Sequence, residues 1–388
     1  MRNFLSDSVQ NLRPSSIRRF FDITATMEDV VTLGIGEPDF TTPPHIMNAG
    51  IQSLEAGNTG YTANAGDMAL RATISEHVER LYGISYRPDS EILVTVGVSE
   101  ALFLAMKAIL NPGDEVLVVE PCFVANAASI EMAGGVPVMV QTCVEDEFQV
   151  TGAELEKHIT SKTKAILISY PNNPTGAVLS RVHMLQVAQV AEKHDLLVIS
   201  DEIYERLVYG VEHINFASLP GMQARTILLS GMSKAYAMTG WRIGYALAPQ
   251  PILAAMKKLH QYLIMSAPTI SQMASVQALR HGEDDVAFMR EHYDRRRRLI
   301  VDGFNEMGLT CFEPRGAFYA FPSIASTGMT DEEFCETLLM EERVALIPGS
   351  AFGESGRGFV RASYASGEDN ILRALERLGR FMERYGQR

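Results

Sequence analysis

Short apolar runs alternate with amphipathic stretches through the middle of the chain. The runs are rich in β-branched residues and almost free of polar positions, which is typical of strands buried on both faces. Helical spacing of apolar positions predicts helices between them, for example at residues 99–110 and 181–194. This alternation predicts an α/β fold with a mostly parallel sheet between helices. The predicted strands cover residues 91–97, 114–121, 136–142, 164–171, 196–204, 226–233 and 244–249.

The two ends of the chain differ from this middle part. The first 45 residues combine a polar helical pattern with a stretch rich in glycine and proline. Beyond about residue 285 a long charged helix, a strand-like stretch with turn signals and a final amphipathic helix follow. Because 388 residues exceed one typical core, two domains are expected. We predict a large domain over residues 46–285 and a smaller α+β domain built from residues 1–45 and 286–388.

Composition and charge narrow the class of protein. The net charge of −13 argues against nucleic acid as a partner, because phosphates would be repelled. No apolar run approaches the length of a membrane span or a signal peptide, so we predict a cytoplasmic protein without membrane partners. The basic run Arg295–Arg298 lies in a helical pattern and is predicted to form a solvated face with acidic neighbours.

The cysteine spacing predicts neither a disulfide framework nor a zinc site, and no metal is expected. No two cysteines are close in the sequence, and none forms a CxxC pair. We therefore predict buried free thiols in a reducing compartment. The four residues are Cys122, Cys143, Cys311 and Cys335.

Residues capable of chemistry follow several of the predicted strands. In open α/β sheets, ligands bind beyond the carboxyl ends of the strands, where these residues would meet. The turn at Gly97 opens a helix whose free N–H groups suit a phosphate, although a plain capped helix start explains it equally. Asp201 ends a buried strand, where a cationic ligand nitrogen or a helix N-cap role would satisfy it. Lys234 and Arg242 are each ambiguous alone.

Eight motifs follow one another along the chain: LGIGEPDF, YTANAGDMALR, PNNPTG, SDEIYERL, SGMSKAYAMTGWRIGY, GAFYAFP, PGSAFG and FVRASYA. Taken together, they resemble one family over essentially the whole chain. The chain is similar to the fold-type I pyridoxal-phosphate enzymes, specifically to class I/II aminotransferases of the aspartate aminotransferase superfamily, subgroup I-gamma. The resemblance implies a large domain with a mixed, mostly parallel seven-stranded sheet.

The resemblance implies that pyridoxal 5'-phosphate is the cofactor and assigns residues to its ring. Lys234 would bind the cofactor covalently and carry the proton of the reaction. Asp201 would keep the pyridinium nitrogen protonated. Asn173 and Tyr204 would form hydrogen bonds with the phenolic oxygen, and Phe123 would stack on the ring.

Further residues are assigned to the phosphate by the same resemblance. The turn at Val98 and Ser99 would bind it, together with Ser233 and Arg242. One position departs from the pattern, because many relatives carry a hydroxyl residue three positions before the lysine and Gly231 stands here. The role of Ser233 therefore depends on fewer matching positions than that of Arg242.

The substrate and the partner subunit are also implied by the resemblance. Arg361 would bind the α-carboxylate of an amino acid, with Gly36 and Asn173 beside it. Tyr61 would reach the phosphate of a neighbouring subunit, so a homodimer with shared active sites is expected. Met265, Tyr262 and Phe21 are candidates for an apolar side-chain pocket, although core packing explains them equally.

The predicted reaction is transamination from an aromatic or aspartate-type L-amino acid to a 2-oxo acid such as 2-oxoglutarate. Three alternatives stay open. The first is an aminotransferase of acylated diaminopimelate, and the second is a β-C–S lyase or decarboxylase on the same fold. The third is a regulator that binds the cofactor without catalysis, although the acidic chain begins directly with the small domain.

Overall fold

The computed structural model describes residues 3–10, 12 and 27–386. Phe21, a candidate for the side-chain pocket, lies outside these residues. Across the described ranges, no helix combines the length and the apolar character that crossing a lipid bilayer requires. The first described element is a short helix, α1 (Asp7–Gln10).

All seven predicted strands are confirmed, and they form one sheet. In chain order the strands are β2 (Ile92–Thr95), β3 (Glu115–Glu120), β4 (Val136–Gln141), β5 (Thr163–Ser169), β6 (Leu197–Asp201), β7 (Thr226–Gly231) and β8 (Gly244–Leu247). Their order across the sheet is β2-β8-β7-β6-β5-β3-β4. Strand β8 runs antiparallel to both of its neighbours, and the other pairs are parallel. The sheet is therefore mixed and mostly parallel, as predicted.

Helices cover both faces of this sheet. Neighbouring residues of β3 point into opposite cores: Val116 and Val118 pack in one cluster, and Leu117 and Val119 in the other. This explains why the strand sequences are apolar throughout. The described helices after α1 are α2 (Pro44–Glu55), α3 (Met68–Tyr82), α4 (Gly97–Ile109), α5 (Ala125–Ala133), α6 (Gly152–Glu156), α7 (Arg181–Lys193), α8 (Gln250–Leu263), α9 (Thr269–His281), α10 (Glu283–Glu306), α11 (Asp331–Glu342) and α12 (Glu368–Tyr385). Of these, α11 and α12 pack on each other and on short strands of the terminal segments.

The terminal segments form two smaller sheets. Strand β1 (Val31–Thr32) pairs in parallel with β10 (Val344–Ala345). A three-stranded antiparallel sheet consists of β9 (Tyr319–Ala320), β11 (Ile347–Pro348) and β12 (Val360–Ser363). The residues before the large sheet therefore pair with residues near the C-terminus. The domain boundaries at 45 and 285 stay predictions, and α10 is continuous across residue 285.

The prediction of a solvated arginine run is wrong for two of its four residues. Arg296 and Arg297 are buried on α10, where Arg296 pairs with Asp39 at 2.8 Å. Arg297 pairs with Asp294 at 2.7 Å and with Glu313 at 2.9 Å. The acidic neighbours were predicted correctly: Asp294 stands on the same helix, whereas Asp39 and Glu313 come from other segments. Burial is tolerated because each guanidinium is paired.

One cysteine departs from the predicted burial. Cys122, Cys311 and Cys335 are buried free thiols, whereas Cys143 is exposed. Cys143 directly follows Thr142, just beyond the end of the edge strand β4, where the chain turns through a short 3₁₀ segment at Val144–Asp146. An edge strand has a neighbour on one side alone, so the residue just beyond its end lacks the covering layers of the sheet interior.

Candidate active site

A cavity of about 470 Å³ lies at the carboxyl ends of the central strands. Strands β5, β6 and β7 are neighbours, and their last residues are Ser169, Asp201 and Gly231. Their carboxyl ends therefore converge, as the sheet rule predicts. The lining residues include most of the predicted site, namely Gly36, Val98, Ser99, Phe123, Asn173, Asp201, Tyr204, Ser233, Lys234, Arg242 and Arg361.

Lys234 follows β7 and is partly buried at the base of the cavity. Its amine donates a hydrogen bond of 2.6 Å to the carbonyl oxygen of Gly36. The rings of Tyr204 and Phe318 each lie 5.6 Å from Nζ. Removal of water from the amine lowers the pKa of Lys234 to about 8, and two nearby arginines act in the same direction. Such an amine is partly neutral near pH 7 to 8, as a general base requires.

Asp201 is the last residue of β6 and is buried. Its Oδ1 accepts a hydrogen bond of 3.2 Å from the N–H of Ile203, so the carboxylate caps a turn rather than a helix. Burial raises the pKa of Asp201 to about 6, and the neighbouring Glu202 adds to this effect. A buried carboxylate with so little compensation suits a cationic ligand.

Arg361, on β12, is buried beside the cavity. It donates 2.8 Å to Oδ1 of Asn173 and 2.6 Å to the carbonyl oxygen of Gly34. Its Nε has no hydrogen-bond partner in the described chain, and none of the described carboxylates forms a salt bridge with it. Because a buried guanidinium without a counter-charge is costly, the site suits an anionic ligand.

The N-terminus of α4, predicted as an anion site, lies at the cavity. Gly97 has a φ of +75° and lets the chain turn so that Val98 and Ser99 line the cavity. A Cβ at Gly97 would lie 2.7 Å from the guanidinium of Arg242, so glycine allows this cation to lie against the turn. Free N–H groups, a helix N-terminus and an arginine together favour a phosphate.

The structure separates some predicted residues from this cavity. Tyr61 is 82% exposed and does not line the cavity of its own chain. Tyr262 and Met265 are 80% and 46% exposed, so they form neither a wall of this cavity nor part of the core. Within the single chain, the predictions that Tyr262 and Met265 line a side-chain pocket or pack in the core are both wrong, because helix α8 ends there at the surface.

Sequence reasoning missed Tyr319 and Glu37, which also line the cavity. The hydroxyl of Tyr319 lies 2.8 Å from that of Tyr204. The carboxylate of Glu37 accepts a hydrogen bond from Thr239. Both residues stand inside motifs that the resemblance uses, GAFYAFP and LGIGEPDF, but nothing in their spacing distinguished them from residues that only shape a turn.

A second polar cluster includes Glu202, which directly follows Asp201, and its members are hydrogen-bonded to one another and to neighbouring residues. Ligand atoms of Glu202, Glu205 and His213 lie within 4.8 Å of one another. The oxygens of Glu202 accept hydrogen bonds from Ser200, His213, Asn215 and the N–H of Phe216. Glu205 accepts from Tyr82 and Ser230. These bonds explain how two acidic groups are accommodated in the interior.

Comparison with known proteins agrees with the geometry. The model of the family described as "Aminotransferase class I and II" matches residues 28–378. The chain is 46% identical to an aspartate aminotransferase of Pyrococcus abyssi, with 96% of this chain and 97% of that protein covered. It is 42% identical to aromatic-amino-acid aminotransferase 2 of Thermococcus litoralis, with 98% of each covered. The crystal structure of an aromatic aminotransferase from Pyrococcus horikoshii superposes with a TM-score of 0.90 at 43% identity, over 95% of this chain and 99% of that one.

Proposed function

Because the chain belongs to the class I and II aminotransferase family, an enzyme family of amino-acid transamination, we propose its substrates and the roles of its site residues. The enzyme transfers the amino group of an aromatic or aspartate-type L-amino acid to a 2-oxo acid such as 2-oxoglutarate. One observation carries this proposal: the amine of Lys234, the carboxylate of Asp201 and the guanidinium of Arg361 line one cavity. A cytoplasmic location stays a prediction.

The cavity suits pyridoxal phosphate, which the family uses. The anion site at the start of α4, with Ser233 and Arg242, would hold the phosphate. Asp201 would pair with the ring nitrogen, and the Phe123 ring would stack on the cofactor. Asn173 and Tyr204 would bind its phenolic oxygen, and Lys234 would attach to it covalently. When bound, this cofactor accepts the electrons that remain when the α-proton of the substrate leaves.

Lys234 is proposed to move the α-proton. Its lowered pKa, about 8, leaves part of the amine able to accept a proton near neutral pH. The same amine, once protonated, can return the proton to a neighbouring carbon. The carbonyl of Gly36, 2.6 Å away, holds the amine within the cavity.

Asp201 is proposed to keep its ligand nitrogen cationic. A carboxylate buried against an apolar surround gains most when a positive charge lies beside it, because few other groups compensate its lost hydration. The electron-accepting power of a pyridine ring depends on that proton. Asp201 therefore acts through charge at a fixed position, without taking part in bond formation.

Arg361 is proposed to bind the α-carboxylate of the substrate. Arg361→Lys is expected to raise the KM for amino acids about 10- to 100-fold with a smaller effect on kcat, because lysine lacks the planar fork that binds a carboxylate twice. Steady-state kinetics with saturating oxo acid measure this effect. Arg357→Lys is a matched control, because that arginine is exposed and pairs with Glu354. An unchanged KM in the Arg361 variant would contradict the assignment.

The active unit is proposed to be a homodimer. Residues 60–68 and 262–269 are joined by hydrogen bonds from Asn64 to the carbonyl of Met265 and from Thr269 to that of Gly60. Together they expose an apolar surface of the kind that marks a protein interface. Sedimentation velocity is expected to show a two-chain species, and a one-chain species at micromolar concentration would contradict the proposal. The surface consists of Tyr61, Met68, Tyr262, Leu263, Ile264 and Met265.

The reaction is tested by a panel of L-amino acids against 2-oxoglutarate. Purified holoenzyme is expected to form glutamate only when both an amino acid and the oxo acid are present, with aromatic amino acids and aspartate among the best donors. A β-C–S lyase would instead release pyruvate from cystathionine without any oxo acid. Pyruvate release of this kind, together with no glutamate from any donor, would overturn the proposal.

A further inference from the structure

Tyr319 contacts several groups that belong to different parts of the proposed reaction. It lies on β9, is fully buried and lines the cavity. Its hydroxyl is 2.8 Å from the hydroxyl of Tyr204, and its ring lies 4.6 Å from the guanidinium carbon of Arg361. One side chain thus joins the residue proposed for the phenolic oxygen of the cofactor to the residue proposed for the substrate carboxylate.

The hydrogen bond between the two tyrosines has one direction when a ligand is bound. Burial raises the pKa of both hydroxyls, so each keeps its proton at neutral pH. Tyr204 has a single proton, and donating it to a ligand oxygen leaves its own oxygen able only to accept. Tyr319 is then the donor to Tyr204. In such a chain each bond strengthens the next, so the hydroxyl of Tyr319 makes Tyr204 a better donor.

The ring of Tyr319 has a separate task from its hydroxyl. The guanidinium carbon of Arg361 lies close to two aromatic rings, 4.6 Å from the centre of Tyr319 and 4.8 Å from the centre of Phe352. Contacts of a guanidinium with ring faces are favourable and are stronger when water is excluded. The two rings therefore restrain the plane of the guanidinium, while Asn173 and Gly34 fix its rotation through hydrogen bonds.

The backbone at Gly36 packs directly against the hydroxyl of Tyr319. A Cβ at Gly36 would lie 2.4 Å from the hydroxyl oxygen of Tyr319, so no side chain fits between them. The same loop accepts the hydrogen bond of Lys234 through the carbonyl of Gly36. The phenol is thus held between a backbone segment and Tyr204.

We propose that Tyr319 is a positioning residue of the transamination site, with its hydroxyl directing the proton of Tyr204 toward the cofactor and its ring fixing the carboxylate-binding plane of Arg361. This inference rests on the proposed function. The hydroxyl and the ring of Tyr319 can be removed in separate variants. Tyr319→Phe removes only the hydroxyl, and Tyr319→Leu removes both the hydroxyl and the ring. Phe352→Leu removes the other ring alone.

Two measurements on the holoenzymes separate these tasks. The first is the pH midpoint of the visible absorption band of the bound cofactor. Its deprotonated form places more negative charge on the phenolic oxygen, so weaker donation from Tyr204 disfavours that form and raises the midpoint. The second is the Kd for two unreactive carboxylates, maleate and 3-phenylpropionate, measured by calorimetry.

We expect Tyr319→Phe to raise the midpoint by about half a pH unit or more and to change both Kd values less than about twofold, since the ring remains. Tyr319→Leu is expected to raise the midpoint equally and to weaken binding of at least one carboxylate about 3- to 30-fold. Phe352→Leu is expected to weaken binding without moving the midpoint. Cofactor content and the melting temperature of each variant identify any that fails to fold.

Two results would overturn the inference. One is an unchanged midpoint in a folded Tyr319→Phe holoenzyme, and the other is a Kd change in Tyr319→Phe as large as that in Tyr319→Leu. If Tyr319→Leu does not fold, Phe352→Leu takes its place, and a Kd change in Tyr319→Phe as large as that in Phe352→Leu overturns the inference. Failure of the proposed function would look different, because the unchanged protein would then form no glutamate from any amino acid in the presence of 2-oxoglutarate.

Discussion

Lys234→Ala is expected to lower kcat by about 10⁴-fold, the upper end of what a positioned acid–base group contributes, because the amine both removes and returns a proton. This corresponds to about 5.5 kcal/mol of lost transition-state stabilisation. The fold is expected to survive, since the side chain makes one hydrogen bond and no ion pair in the described chain. Single-turnover kinetics with an amino acid alone measure the loss without product release.

Two controls separate the proton-transfer role from charge and from a general loss of lysine. Lys234→Arg keeps a cation, but a guanidinium stays protonated and cannot act as a base, so it is expected to be as inactive as the alanine variant. Lys193→Ala removes an exposed lysine that pairs with Glu156 and is expected to retain full turnover. Substantial activity in Lys234→Arg would show that the charge alone suffices and would contradict the base assignment.

Asp201→Asn is expected to lower kcat about 10²- to 10³-fold, the range observed when one preorganised electrostatic contact is removed. Asparagine has nearly the same shape, so the loss would reflect the charge. The exposed Asp195→Asn, whose side chain is 94% accessible, is a matched control and is expected to change little. Near-native kcat in Asp201→Asn would remove this carboxylate from the mechanism.

Asp201→Asn is also expected to stabilise the cofactor-free protein against unfolding. Folding raises the pKa of Asp201 from 3.8 to about 6, mainly through burial. The folded state therefore holds the proton more tightly, and stability falls as pH rises through this interval. The loss of unfolding free energy that the buried Asp201 causes is absent below about pH 4. It grows between about pH 4 and about pH 6 and then stays at about 3 kcal/mol.

Thermal unfolding of the cofactor-free protein at about pH 4 and about pH 7 measures this linkage. Asp201→Asn is expected to raise the melting temperature relative to the unchanged protein at the higher pH and to have little effect at the lower one. Bound cofactor is expected to cancel the difference, because a cationic nitrogen would compensate the carboxylate. A stabilisation independent of pH would point to packing rather than charge. Such a site trades stability for function.

The sequence predicted the large sheet well because each of its strands can be recognised from its own residues. Strands buried on both faces are apolar along their whole length, as the two cores around β3 illustrate. The location of the site followed from the sheet rule, since Asp201 stands at the end of β6 and Lys234 shortly after the end of β7. The family motifs then assigned residues from different segments to the same predicted site, which no single sequence pattern could do.

Other features could not be predicted, because distant segments create them. Arg296 is buried where it pairs with Asp39, 257 positions away along the chain. Tyr319 acquires its contact with Tyr204 when β9 packs against residues that follow β6, and its contact with Arg361 when β9 pairs with β12. A tyrosine within an apolar stretch predicts core packing, and nothing in its neighbours along the chain reveals the hydroxyl that will meet it.

The central claim is that one amine, beside an acidic group, carries the cofactor. Borohydride reduction of the holoenzyme, followed by proteolysis and mass mapping of all lysine-containing peptides, tests it directly. We expect the pyridoxyl-phosphate mass on the peptide that contains Lys234, and on no other peptide. A label on a different lysine, or a reduced holoenzyme whose Lys234 peptide is unmodified, would contradict the account.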